Sequence, residues 1–434
     1  MTITERLLPI LSRPIEAADR RRATLLYLDW IGCATAGSAE PVGQKLNRSF
    51  GEQSGPCTRL GGAPHHAMSG HVQMAAFHNG CLGNVLEMDD VDRKAVLHAA
   101  PTVIPAALAA LEHAGADFQA FLDAIIIGYE VTLRIGRAVG AGHYAFWHNT
   151  ATCGPFGAAA AVCHILQNTD IVAALGLAGT QSAGLWQTRH EPESDAKQVH
   201  AGHAAQVGVM SAMMSAQGIK GPRKILEGEQ GFFKAMCPGA NPEDVLRDPD
   251  GNWLIHETSI KPYPACRHSH AAIDAALSAA PLVLHKDGII LIETYDDALK
   301  FCDRSEPSAG RAAKFSLQHV VAYALQYGVA PDLSDFAETS LSSTKKLRRK
   351  IILKSTDEFN HAYPAHYGAA VTVGGKRYVA KDALGDPEHA LSNQAVFEKA
   401  IRLFRHAGQN REHAVSFITT ALGEGFENRL GIKL

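Results

Sequence analysis

Four short polar stretches stand out in an otherwise apolar chain rich in small residues. The first, residues 83–105 (GNVLEMDDVDRKAVLHAAPTVIP), holds Glu87, Asp89, Asp90 and His98. Carboxylates beside an imidazole near a helix terminus suit acid–base work, because a carboxylate can orient the ring or raise its pKa. A solvated acidic turn with a structural histidine would use the same residues. The second, residues 142–157 (GHYAFWHNTATCGPFG), sets His143 and His148 before a Gly-containing entry into an Ala-rich helix. Backbone N–H groups at such a helix start attract anions, so a histidine there can hand protons to a bound carboxylate; it can equally satisfy a loop. The third, residues 194–205 (SDAKQVHAGHAA), puts Lys197 beside His200 and His203. Lys197 is a natural partner for a substrate carboxylate, although most lysines ahead of a helix are simply exposed. The fourth, residues 260–271 (IKPYPACRHSHA), crowds Lys261, Cys266, Arg267, His268 and His270 around two prolines. Cys266 has no sequence-level triad and reads as core or cleft wall.

Together the four stretches suggest a cationic, imidazole-rich cleft for an anionic small molecule and proton-transfer chemistry. No cofactor signal accompanies them: there is no phosphate loop and no GxGxxG in a strand–helix context. A zinc hydrolase is a weaker alternative, since no HExxH or other ligand spacing supports it; no metal is expected. None of the eight cysteines forms a CxxC pair, which disfavours zinc ribbons, thioredoxin motifs and common iron–sulfur patterns. Most read as small buried hydrophobes in a reducing compartment.

The elements that must position these residues fall into two groups. Residues 1–255 read as helices, with periodic or Ala-rich stretches at 20–37, 103–114, 118–139, 157–167, 170–181 and 204–217, separated by Gly-containing breaks at 140–142, 154 and 218–221. Residues 256–387 change character. GIILIETY at 288–295 is β-rich, and two strand patterns at 369–373 and 376–380 flank Gly374-Gly375, a hairpin signal. Helical patterns lie between them at 316–326 and around 332–349. The run at 393–405 is an amphipathic helix with Ser392 as N-cap. The expected fold class is therefore mainly α: a large all-helical domain (1–255), a smaller α+β domain (256–387), and a C-terminal helical segment (388–434) packing back on the first.

Composition sets the outer bounds. The 434 residues fit two or three domains. Hydrophobic residues at 46% and charged residues at 20% are ordinary for a globular chain. With 41 basic and 44 acidic residues there is no electrostatic footprint for nucleic acid or an anionic membrane. The N-terminus lacks the pattern of a secretory signal, and no apolar run approaches a membrane span. A cytoplasmic protein is expected. One number is unusual, the 22 histidines, the residue type that titrates near physiological pH.

Read in order, the four stretches resemble the MmgE/PrpD family, which includes 2-methylcitrate dehydratases, cis-aconitate decarboxylases and iminodisuccinate epimerase. LEMDDV at 86–91 is similar to the family's acidic motif, and His98 stands where a histidine precedes its V-I-P-A-A-L-A helix. Trp147-His148 precedes GPFGAAAA; K-x-x-H-x-G-x-A-A appears as Lys197, His200, Gly202, Ala204 and Ala205; KPYPAC spans Lys261 to Cys266; and a later K-F-S is Lys314, Phe315 and Ser316. The resemblance covers roughly residues 20–405. It implies a large helical domain with a smaller α+β lid, a homodimer, and no metal or organic cofactor. Four positions depart from the animal-type decarboxylases: Cys266 replaces a histidine, Phe301 a tyrosine, Val91 a threonine, and Glu87 the leading aspartate. These changes argue against that decarboxylase activity.

The chemistry implied is carbanion formation beside a carboxylate, whose charge needs nearby cations. Lys197 and Lys261 are the candidates for that clamp, and His98 and His148 for general base and general acid. Glu87 or Asp90 would orient or charge a histidine. Glu87, Asp90, His200, Cys266 and Arg267 are the expected substrate-binding residues. The preferred reading is a 2-methylcitrate-dehydratase-like hydro-lyase acting on a small di- or tricarboxylate. An iminodisuccinate-type epimerase, with two acid/base residues on opposite faces of one carbon, is the alternative. A non-catalytic carboxylate-binding protein is the second.

Overall fold

The computed structural model describes residues 1–51, 53–61, 68–167, 169–191, 194–280 and 288–434. The fold is mainly α with a small α/β portion. The chain divides into two compact units, Met1–Thr258 with Ser392–Leu434, and Ser259–Leu391.

The first unit contains α1 (Ile3–Leu11), α2 (Ala17–Ala39), α3 (Pro41–Phe50), α4 (Val72–Gly83), α5 (Ala100–Ala114), α6 (Phe118–Ala138), α7 (Gly140–Tyr144), α8 (Asn149–Leu166), α9 (Ile171–Gly179), α10 (Ala196–Ala216) and α11 (Phe232–Met236). It is not all-helical: β1 (Cys57–Arg59) and β2 (Met68–Gly70) form a two-stranded antiparallel pair. Helix α2 buries every residue from Ala23 to Ser38, and α8 every residue from Asn149 to Cys163. A helix buried on all sides must be apolar or small all round, which is where the Ala- and Gly-rich composition goes. The packing is close enough to exclude side chains at some positions. A Cβ on Gly202 of α10 would lie 2.3 Å from the Phe77 carbonyl oxygen and 2.4 Å from Cys81 Sγ, both on α4. A Cβ on Gly157 of α8 would lie 2.3 Å from the Gly128 carbonyl oxygen on α6.

Two helix starts differ from the sequence expectation. Helix α8 begins at Asn149 and runs through Gly154 and Pro155. Gly154 is not a break but a close contact, since a Cβ there would meet Thr102 Cγ2 at 2.7 Å. Helix α10 begins at Ala196, so Lys197 and His200 sit on its first turns rather than ahead of it. The short helix α7 also occupies the break expected at 140–142.

The second unit contains α12 (His270–Ala279), α13 (Asp296–Cys302), α14 (Arg311–Lys314), α15 (Leu317–Tyr327), α16 (Glu338–Arg348) and α17 (Asp357–Ala362). Its sheet comprises β3 (Ile290–Thr294), β4 (Ile351–Ser355), β5 (Ala369–Val373) and β6 (Lys376–Ala380), in the order β4-β3-β5-β6. Strand β3 is parallel to β4 and antiparallel to β5. The β5–β6 hairpin turns on Gly374 and Gly375, both at positive φ (58° and 76°), as a two-residue turn of that hand requires. Strand β4 was not legible in the sequence.

The C-terminal helices α18 (Asn393–His406), α19 (Arg411–Leu422) and α20 (Phe426–Leu430) belong to the first unit. Ser392 Oγ accepts from the Ala395 N–H at 3.2 Å, capping α18, which packs along α2. The buried face of α18 carries one charge, Lys399.

Candidate active site

In the first unit, the segment between α4 and α5 forms a compact acidic loop. Asp92 and Leu97 pair as an isolated antiparallel bridge that closes its end. Two non-glycine residues in it take left-handed backbone: Glu87 (φ 59°) and Val96 (φ 51°). For a β-branched valine this conformation is strained, and it persists only where the surroundings over-determine it. The surroundings do so here. Lys399 on α18 donates to the Met88 carbonyl at 2.7 Å while its ammonium lies 2.5 Å from Asp29 of α2. Arg137 of α6 holds Asp92 through two nitrogens.

The three acids of the loop take three different partners. Glu87, buried, receives Lys197 Nζ at 2.6 Å on both oxygens. Asp89 accepts from Asn84 Nδ2 at 2.7 Å and faces His98 Nδ1 at 3.2 Å. Asp90 is fully buried; it accepts from the Tyr129 hydroxyl at 2.8 Å and the Ala100 N–H at 3.1 Å. Burial, reinforced by the Asp89 charge, pushes the Asp90 carboxyl up to about 8, so it is largely protonated at neutral pH.

His98 precedes α5. Its backbone N–H donates to Thr150 Oγ1 at 3.0 Å, and its Nδ1 lies 2.5 Å from the Asp90 carbonyl oxygen. A carbonyl can only accept, so Nδ1 carries a proton, which leaves Nε2 as the nitrogen that can take or give up a proton. Asp89 adds a carboxylate on the same side. This is the carboxylate–imidazole arrangement anticipated from residue types, with Asp89 in the place proposed for Glu87 or Asp90.

His148 is the N-cap residue of α8, and its backbone N–H donates to the Gly184 carbonyl at 2.9 Å. Its ring lies 4.4 Å from the Trp186 ring, centroid to centroid, and its Nδ1 is 3.3 Å from Nδ1 of His200. Burial, then the nearby His200, Lys197 and His98, hold its pKa well below the ordinary histidine value; Asp89 works in the other direction. His98, Lys197, Asp89 and His200 all surround His148. Burial, His203 and Lys197 push His200 down to about 4. His148 and His200, two of the imidazoles expected to make the cleft cationic, are thus neutral, and the Lys197 charge is matched by Glu87. His143 stands apart from this group, donating Nδ1–H to the Met236 carbonyl at 2.9 Å and meeting Thr152 Oγ1 at 2.8 Å through Nε2.

The second unit holds the remaining candidates. Lys261 is buried. Cys266 is buried and its backbone N–H donates to the Lys314 carbonyl at 2.9 Å. Arg267 is buried against the Asp386 carboxylate and donates to His270 Nδ1 at 3.0 Å. His268 is stacked between Phe301 (5.0 Å) and Tyr367 (5.2 Å) and shares a 2.7 Å hydrogen bond with the Tyr295 hydroxyl.

Two groups among the described residues place ligand-type atoms within 4.8 Å of one another: Asp89, Asp90 and His98, and His366, Asp382 and Glu388. In the first, both Asp90 oxygens already accept hydrogen bonds, from the Ala100 N–H and the Tyr129 hydroxyl. In the second, Asp382 is bonded to His366 at 2.6 Å. Sequence reasoning missed the roles of Asp89, Tyr129, Thr150 and Lys399. For Lys399 a signal existed, a charge on the apolar face of an amphipathic helix.

Comparison with known proteins places this geometry in context. The MmgE/PrpD N-terminal domain model matches residues 12–244 and the C-terminal domain model residues 263–422. The chain belongs to the MmgE/PrpD family. Its similar relatives include the cis-aconitate decarboxylase-like protein oryM of Aspergillus oryzae, 29% identical over 60% of this chain and 57% of that protein. The cis-aconitate decarboxylase of Aspergillus terreus is 27% identical over 78% of this chain and 74% of its own length. The cis-aconitate decarboxylase of Homo sapiens is 26% identical over 57% and 53%. The chain thus spans just over half the length of the first and third of these relatives. No helix among the described residues is long and apolar enough to cross a membrane.

Proposed function

We propose that this chain is a lyase that removes a proton α to a carboxylate of a small di- or tricarboxylate, with loss of water as the second half of the reaction. The observation that carries this reading is His98, whose Nδ1–H is committed to the Asp90 carbonyl beside Asp89, leaving Nε2 as a base of fixed orientation. A carboxylate on that side stabilises the imidazolium that forms on proton uptake. Lys197 binds a substrate carboxylate and offsets the developing enediolate charge, with Glu87 holding its ammonium in place until substrate arrives. His148, neutral and close by, is the second proton-handling group. Asp90 frames His98 rather than touching substrate, since its own oxygens are occupied. We also propose Lys261 as a second cation and Cys266 and Arg267 as substrate contacts; Lys261→Met tests the first of these. We further propose a cytoplasmic homodimer working without metal or organic cofactor.

Decarboxylation is the second reading, favoured by the names of the relatives. The changes at Glu87, Val91, Cys266 and Phe301 are departures from the animal-type decarboxylases and weigh against an activity of that type. One experiment separates the outcomes: a panel of polycarboxylates, including amino- and imino-dicarboxylates, incubated in D2O and followed by proton NMR with CO2 detection. A dehydratase gives vinyl signals without CO2, a decarboxylase gives both, and an epimerase gives deuterium uptake with inversion and no alkene. Binding without exchange or turnover across the panel would leave a carboxylate-binding protein. Lys197→Met should lower any turnover by at least about 100-fold; full activity in that variant overturns the assignment.

A further inference from the structure

The contact between His148 and His200 has a chemical constraint of its own. Two Nδ1 atoms 3.3 Å apart can share a hydrogen bond only if one carries a proton and the other presents a lone pair. The two rings must then be opposite tautomers, so one outer Nε2 is basic and the other is an N–H donor. Burial decides which is which. His148 is 2% exposed, whereas His200 is half-buried. Burying an N–H without an acceptor is more costly than leaving a lone pair under-used. The outer N–H therefore belongs on His200, the wetter ring, and the outer lone pair on His148.

We propose that His200 is a positioning residue: its Nδ1 lone pair accepts the His148 Nδ1–H, fixing the tautomer in which His148 Nε2 is the proton acceptor. This rests on His148 handling a proton in the proposed reaction. When Nε2 takes that proton, the ring becomes an imidazolium whose Nδ1–H still donates to neutral His200, so the charged form gains a stronger hydrogen bond. A second added proton would remove the acceptor and break the bond, so the neutral pair takes up one extra proton at a time. His200 thus does with a lone pair what a carboxylate does in a hydrolase triad. The charged and titratable groups around the pair agree with neutral resting rings. Lys197 and His203 on α10 and His98 before α5 disfavour protonation, and Asp89 in the acidic loop is the opposing group. Gly184 leaves room for the contact, as a Cβ there would lie 2.4 Å from Ala151 Cβ and 3.5 Å from His200 Nδ1.

The test uses the full chain with 15N-labelled histidine, the His148 signals being assigned by their loss in His148→Gln. Two-bond proton–nitrogen correlation spectra should show His148 protonated at Nδ1 and His200 at Nε2. In His200→Phe the His148 signals should move toward the Nε2–H tautomer, kcat should fall by about 100-fold with KM changed less than about 3-fold, and His200→Asn, which restores an acceptor, should recover most of the loss. His148 found protonated at Nε2 in the wild type, or unchanged in His200→Phe, overturns the proposal. The tautomer readout needs no substrate. A chain that turns over none of the polycarboxylates refutes the proposed function while this measurement still decides the role of His200.

Discussion

Lys399 joins the C-terminal segment to the acidic loop, and replacing it by methionine isolates that link. Lys399 is 4% exposed; its ammonium lies 2.5 Å from Oδ1 of the buried Asp29 and donates to the Met88 carbonyl at 2.7 Å. Methionine keeps much of the apolar stem and its packing against α2, but supplies neither charge nor donor. Removing one partner of a buried ion pair costs about 3–5 kcal/mol, because the other charge stays desolvated. At about 2 °C per kcal/mol for a unit of this size, Lys399→Met should lower Tm by about 6–10 °C. Neutralising the partner as well, in Asp29→Asn with Lys399→Met, removes the stranded charge and should recover at least about half of that loss. Hydrogen exchange gives the site-level readout: amides of residues 84–97 should exchange faster in Lys399→Met even below its transition, because the anchor of Met88 is gone. A Tm within about 2 °C of wild type would refute the claim that this pair seats the loop. So would a double variant as unstable as the sum of the two single ones.

Two further outcomes follow from the same geometry. Between about pH 4 and 8 the native chain keeps a proton on Asp90 that the unfolded chain releases, so this group makes stability fall as pH rises, by up to about 1.4 kcal/mol per pH unit. Asp90→Asn should flatten that slope in a series of thermal melts, and parallel slopes in the two proteins would count against a protonated Asp90. Gly202→Ala forces a methyl into the 2.3 Å gap against α4 and should cost about 1–3 kcal/mol in urea unfolding; a loss below about 0.5 kcal/mol would mean the α4–α10 crossing relaxes freely.

The periodic helices and the Gly-Gly hairpin were legible because each is a local pattern. Gly154-Pro155 misled for a local reason too: the pair reads as punctuation, whereas here Gly154 serves a close approach to Thr102 inside α8. Strand β4 (IILKS) follows a polar helix and lacks the flanking Gly-Gly turn that marks the equally short β5 and β6. The candidate residues of the first unit were identifiable by type, and His98, His148, Lys197 and His200 do come together there. Their partnerships were not legible. Asp89 and Asp90 are adjacent in sequence but one faces an imidazole and the other a buried tyrosine, a choice made by α6 packing and invisible to spacing. The histidine surplus suggested positive charge, yet burial holds His148 and His200 neutral. Net charge and residue counts carry no information on desolvation, which decides that outcome.

The tie between Lys399 and Asp29 also sets an order of events during biosynthesis. A ribosome delivers α2 and the acidic loop early, then makes the whole second unit before α18 appears. With roughly 300 residues between the loop and α18, at about 5–20 residues per second that interval is some tens of seconds. Throughout it, Asp29 lacks its ammonium and the flank of α2 that α18 covers stays open to water. The nascent protein therefore passes through a stage in which one flank of α2, the longest helix among the described residues, is uncovered and its strained loop is unanchored. Such a stage is a natural point for chaperone engagement and for proteolytic removal of chains that stall before Ser392.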